Sequence, residues 1–419
     1  MVLIKEKEVK ELEGVIAEAC SVARAFGLDF YPMRFEVVPA DIIYTFGAYG
    51  MPSRYNHWSF GKSFFKLKTL YDYNLSRIYE LVINTNPCYA FLLSGNSLIQ
   101  NKLVIAHALA HSDFFKNNAY FTHTSTTMID TMTNAAERIR NYEFKYGKEI
   151  VEDFLDACIS IQENIDPIKA RNPAWKTEPI DEEKDLLLYL AKSCPHLEEW
   201  QLDIITTVRN EMIYFWPQLE TKIVNEGWAT FWHLRIMREI NLIDSEIIEF
   251  AKMHANVIRA DKKQLNPYSL GLKLWEDIFK KQGYSGMFEV REMESDLSFI
   301  RNYLTQEIIE DLDLYLFRKE DRKWKVTETQ WEAVREGIVG NLINCGFPNI
   351  VVADGNYNLQ GELFMRHIYE GVELDIKHLE KTLPYVYHIW QKPVHLETVL
   401  NNKGVIFYHD GTKTLRKFN

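Results

Sequence analysis

Residues 101–121 read NKLVIAHALAHSDFFKNNAYF, an apolar run that carries His107 and His111 four residues apart, with Asp113 just after them. Side chains at i and i+4 of a helix share a face, so both imidazoles point the same way. Two histidines so placed hold one metal ion when a third ligand arrives from elsewhere in the chain. The same pair could equally be a hydrogen-bonded polar patch in a core. A candidate third ligand is Glu226, in NEGWATFWH (residues 225–233), which reads as a second helix. His233 lies about two turns beyond Glu226 and faces the same side. It could be a fourth ligand, a hydrogen-bond donor to a transition state, or a partner of Glu226.

One position departs from the zinc-peptidase pattern. In HExxH a glutamate follows the first histidine and takes a proton from water. Here that residue is Ala108, which has no proton to exchange. Glu226 in NEGWA resembles the NEGxA stretch of gluzincin aminopeptidases, in which a glutamate on a separate helix completes the metal site. YELVINTNPCYAFLL (residues 79–93) reads as strand, turn and strand ahead of the histidine helix, where zincins keep an edge strand above the cleft. The order is zincin-like and the base is missing. Glu137 is the carboxylate expected to replace that base, and Asp113 and Glu137 could also complete a site or make it dinuclear. Histidines with a carboxylate suit zinc, although iron and manganese accept similar sets.

GAYGMPSRYNHWSFGKSF (residues 47–64) brings Arg54, Tyr55 and His57 into a glycine-rich loop. These three could bind an anionic substrate group, since arginine favours bidentate pairing. Arg54 could instead tie the loop down through backbone carbonyls. Glu362, His367, Glu370, His395 and Glu397 form a second polar group, for which structural contacts are expected. No elbow motif anchors a Ser-His-Asp triad.

Forty-eight basic against fifty-nine acidic side chains give a net charge of −11, which argues against nucleic-acid binding and against attraction to anionic membranes. The first thirty residues lack the unbroken apolar core of a signal peptide, and no apolar run is long enough to span a bilayer. Five scattered cysteines without CxxC pairs read as reduced thiols, so a cytoplasmic protein is expected. Helices are expected at 5–26, 59–74, in the histidine run and from 127 to about 163 with a break at Gly147. Residues 29–48 read as irregular with one short strand, 165–180 as a linker, and 353–356 (ADGN) as a turn. The fold class is α+β and mainly helical: a helix-rich, zincin-like region over 1–289 with a few strands, and a small mixed α+β domain over 290–419.

Several long segments together identify the chain as a member of the stage V sporulation protein R (SpoVR) family. They are YGMPSRYNHWSFGKSF, YELVINTNPCYAFL, LVIAHALAHSDFFKNN, RIRNYEFKYGKEIVEDFLDA, NEGWATFWH, NPYSLG, IRNYLT and VVADGNYNLQGELFMRHIYEGVELD, ending in KPVHLET. The resemblance implies a role in forming the peptidoglycan cortex of endospores, and relatives are often encoded near a serine protein kinase. Two functions follow. One is a cytosolic factor on a metal-binding, zincin-derived scaffold that acts through a protein partner, such as a cell-wall amidase or that kinase. The other is an active zinc metallohydrolase cutting a peptide or peptidoglycan-derived bond.

Overall fold

The computed structural model describes residues 6–73, 80–172, 182–259, 265–320 and 323–418. The chain is mainly helical and its contacts divide it into two compact units: Met1–Arg54, Trp58–Asp130 and Pro217–Ile343 form one, and Tyr55–His57, Thr131–Trp216 and Asn344–Asn419 the other. Residue 290, the expected domain boundary, falls inside the helix Pro267–Met293 of the first unit.

The first unit is built on the histidine run. It forms the helix Leu98–Asn117, and Ser97 and Gln100 make reciprocal capping bonds at its start. Almost every residue from Ile99 to Phe115 is buried, so this helix is wrapped on all sides, as an apolar helix without a polar face must be. Around it lie the helices Glu6–Ala25, Lys222–Glu239 and Pro267–Met293, and a three-stranded sheet. The sheet comprises β1 (Met33–Val38), β2 (Glu80–Ile83) and β3 (Cys88–Leu93) in the order β1-β3-β2. β3 runs parallel to β1 and antiparallel to β2, which leaves β2 at an edge. Residues 29–48 are thus more regular than their pattern suggests, because β1 draws its regularity from pairing with β3. A two-stranded ribbon, β4 (Leu316–Glu320) and β5 (Lys323–Glu328), closes the first unit.

The second unit holds most of the helix Met128–Tyr146, the helix Lys148–Ile159 that follows it after Gly147 with a positive φ of 100°, and the long helix Glu199–Glu220 up to Trp216. Its C-terminal sheet has β6 (Ile350–Tyr357), β7 (Glu362–His367), β8 (Val394–Leu400), β9 (Lys403–His409) and β10 (Thr414–Phe418) in the order β10-β9-β8-β7-β6. β7 and β8 are parallel, joined through the helix Ile376–Trp390, which buries Leu379, Leu383 and Val386. The turn expected at 353–356 lies later. Bulges absorb those residues into β6, and the reversal falls at Asn358 and Leu359, whose φ values are 57° and 58°. Part of the expected linker forms the helix Pro167–Arg171, and its residues 173–180 lie outside the described residues.

Candidate metal centre

Three helices bring the centre together. The histidine helix meets the helix Lys222–Glu239, whose first amides, Ile223 and Val224, each donate 2.8 Å bonds to the buried Asp296 carboxylate. That remote cap fixes where Glu226, one turn further on, points. Asp113 anchors the same pair of helices. It accepts from Trp228 Nε1 at 3.0 Å, from Arg291 Nη1 at 2.9 Å and from the Asp29 amide at 2.7 Å. With this many donors Asp113 is a structural anion and adds no ligand. The third helix, Pro267–Met293, crosses so closely that a Cβ on Gly227 would sit 2.4 Å from Gly271 Cα. Two glycines at the crossing let the backbones touch and bring Tyr268 over the histidines.

The imidazole Nε2 atoms of His107 and His111 lie 3.0 Å apart. Glu226 Oε2 is 3.6 Å from the first and 3.5 Å from the second. A zinc ion about 2.0–2.1 Å from three donors at tetrahedral angles holds them roughly 3.3 Å from each other, so the triangle has the size of a ligand set. His107, His111 and Glu226 are the group among the described residues able to hold a metal ion. Glu226 Oε2 is buried and accepts no hydrogen bond. A buried carboxylate oxygen without a donor is costly unless a cation meets it. Side-chain exposures of 8%, 11% and 20% for His107, His111 and Glu226 leave the triangle near the surface on the glutamate side.

The outer nitrogens are held as well. His111 Nδ1 donates to Asn225 Oδ1 at 2.9 Å, which leaves its Nε2 lone pair facing inward. His107 Nδ1 lies 3.1 Å from His233 Nδ1, and His233 Nε2 lies 3.2 Å from His254 Nδ1. One set of tautomers satisfies this row while freeing His107 Nε2: His107 donates to His233, and His233 donates to His254. His233 therefore meets the nitrogen of His107 that faces away from the triangle.

Burial lowers the pKa of His107, helped by the neighbouring His111, and lowers that of His233 further. For His111 burial is outweighed by Glu226, Asn225 and Glu80, and its pKa rises. Burial alone would raise Glu226, but the nearness and charge of both imidazoles hold it well below the usual carboxylate range. A second carboxylate, Glu80 on edge strand β2, is pushed up to about 7 by burial, against the pull of His111 and with a push from Glu226. Tyr268 stacks on His107 with ring centroids 6.2 Å apart, near enough for the Glu226 charge to act on its hydroxyl. Burial, followed by the charges of Glu226 and Glu80, raises its pKa and keeps it a donor.

The other expected site residues have surroundings of their own. Glu137 is an exposed residue of the helix Met128–Tyr146, in the second unit, whereas Glu80 of β2 is near enough to His111 for their charges to interact. Arg54 donates to the Tyr49 carbonyl at 3.1 Å and lies 4.0 Å over the Phe60 ring. Tyr55 donates to Glu211 at 3.0 Å, and His57 pairs with Asp156 at 2.9 Å, both within the second unit.

Comparison with known proteins settles the chain's kinship. The family model described as "SpoVR like protein" matches residues 6–179 and 169–347, and "SpoVR-like C-terminal domain" matches 348–401. The chain belongs to the SpoVR family. It is 30% identical, over an alignment covering 92% of this chain and 91% of the relative, to "Uncharacterized protein YcgB" of Escherichia coli (strain K12). No solved structure matches it. No helix among the described residues of this SpoVR protein is long and apolar enough to cross a membrane. Four residues that its sequence did not single out stand at the centre: Glu80, Asn225, His254 and Tyr268. Glu80, Asn225 and Tyr268 lie in YELVINTNPCYAFL, NEGWATFWH and NPYSLG, so segments that mark the family also build the site.

Proposed function

We propose that this SpoVR protein is a metal-dependent hydrolase of amide bonds, with His107, His111 and Glu226 holding a zinc ion. The observation that supports this most is the donorless, buried Glu226 Oε2, set in a triangle of ligand dimensions with two inward imidazole nitrogens. When bound, zinc supplies Lewis acidity that polarises a carbonyl and eases loss of a proton from a neighbouring water. Glu80 takes that proton and returns it to the departing amine, the task for which Ala108 is unfit. A carboxyl group with a pKa of about 7 suits both directions of transfer. Tyr268, kept protonated, donates to the oxygen on which charge develops.

β2 supports a peptide-like substrate. It is an edge strand, so its outer backbone groups can pair with an extended chain beside the centre. This arrangement supports the zincin-type reading of the fold, and family membership favours a peptidoglycan-derived peptide as the substrate. The test is metal analysis of the purified protein beside His107→Ala and Glu226→Ala, followed by mass spectrometry of peptidoglycan-fragment digests. About one metal per chain, lost in both variants together with hydrolysis, is expected. A wild-type protein that takes up no metal from excess zinc would overturn the proposal.

A further inference from the structure

A cavity of about 310 Å³ lies within the second unit, between the C-terminal sheet, the segment 160–164 and the helices Leu186–Ser193 and Ile376–Trp390. Ile161, Leu186, Met365, Leu383, Val386 and Leu396 wall it, and each is at most 4% exposed. These are core side chains by every measure, yet they face open space. The space is open to solvent on one side, and a largely apolar, half-open cleft with a few polar groups at its rim is the usual form of a ligand site. It has about twice the ~150 Å³ of an apolar cavity that takes up benzene, and sits at the lower end of the usual range for ligand sites.

The rim is acidic. Glu163 and Asp375 border the cavity together with His378, and no lysine or arginine does so among the described residues. Asp375 Oδ1 accepts the His378 amide as the cap of the helix Ile376–Trp390, and Glu163 Oε1 accepts from Gln162. Each carboxylate keeps its second oxygen for a further donor.

We infer that this cavity binds a small amphipathic cation: an apolar body seated against Met365, Leu383 and Leu396, with an ammonium-type head at Glu163 and Asp375. The volume sets a ligand of roughly ten to fourteen heavy atoms, judged against the benzene-sized case. An anionic head of the same shape would leave its charge facing two carboxylates and is rejected. The site belongs to the second unit and does not depend on the metal centre.

The probes are 4-phenylbutylamine, 4-phenylbutanol and 4-phenylbutyrate, titrated calorimetrically into the full chain. They share an apolar body and differ in head charge. The amine should bind at least tenfold more tightly than the carboxylate, with the alcohol between them. Glu163→Gln with Asp375→Asn should abolish that ranking while leaving the alcohol unaffected, since asparagine retains the helix cap. Leu396→Phe, which grows into the cavity, should remove binding of all three without loss of cooperative melting. No binding of any probe to the wild type, equal binding of amine and carboxylate, or full binding to a folded Leu396→Phe protein would each overturn the inference.

Discussion

The two units use the same polar side chains in opposite ways. In the C-terminal sheet His395 bonds Glu362 at 2.9 Å, His367 bonds Thr398 at 2.8 Å, and Arg366 bonds Glu397 at 3.0 Å. Each group there has a partner across β7 and β8, as polar side chains between strands should. Around the histidine helix the outer nitrogens of His107 and His111 are just as well supplied. Their inner nitrogens, however, converge on one point with an oxygen that no donor meets. A candidate metal centre is therefore recognised by ligand atoms that converge on one point, and residue type alone cannot reveal it.

Removing a ligand should break this contrast most strongly. Glu226→Gln, which preserves shape, should weaken zinc binding by at least ~100-fold, because it replaces an anionic donor where the metal most needs charge. Dialysis against a zinc indicator measures this. Binding should also weaken as pH falls, because protons compete for these ligands and Glu226 holds His111 in its charged form more readily than usual. Unchanged affinity in Glu226→Gln would place the triangle alongside the satisfied pairs of the sheet.

The next largest effect concerns chemistry alone. Glu80→Gln should reduce kcat by about 10²–10⁴-fold, the usual worth of a general base, while metal content stays unchanged. The sign of the pH effect follows from the base having to be ionised. Burial holds Glu80 protonated up to about 7, so activity should fall as pH drops through that region. A bound cation favours the carboxylate and moves this limb to lower pH. The limb should vanish in Glu80→Gln, and a variant of full activity would leave the centre without a base.

How much of this was legible in the sequence depends on distance along the chain. His107 and His111 announce themselves because a helix places i and i+4 together, and Glu226 follows from a motif of similar kind. Glu80 and Tyr268 did not stand out, because nothing local says that an edge strand and the start of a third helix meet the same point. Glu137 was an attractive substitute for the same reason: a carboxylate on a helix has no address until the helices are packed. The late turn at Asn358 was hidden by ADGN, a strong turn signal that bulges carried into a strand.

Gly227 and Gly271 provide a stability test of the same packing. An alanine Cβ at 227 would lie 2.4 Å from Gly271 backbone, and one at 271 would lie 2.3 Å from the Ile223 carbonyl oxygen. Helix backbone cannot yield as a side-chain tip can. Gly227→Ala should cost about 2 kcal/mol or more in thermal or denaturant unfolding, and should loosen zinc binding by moving Glu226. Gly340→Ala, where nothing lies within 4 Å of the added carbon, is the matched control and should be close to neutral. Similar melting of both variants would mean that the helices do not cross this closely in solution.

The smallest effect belongs to the satisfied side of the contrast. His395→Ala removes a partner of Glu362 in a mostly covered, strand-to-strand contact, where both side chains retain some water: exposures are 13% and 15%. Glu362 also accepts from Asn358 at 2.9 Å, so it is not stranded when the imidazole goes. The loss should be only about 1 kcal/mol, that of an ordinary polar contact whose partner can be rehydrated. Zinc content should stay at the wild-type value. Were His395→Ala to lose metal as Glu226→Gln does, bound metal would not report on the triangle, and the donorless oxygen would need another explanation. A chain that keeps its metal and loses only this small increment would confirm that the same two residue types, a histidine and a glutamate, act as glue in one unit and as ligands in the other.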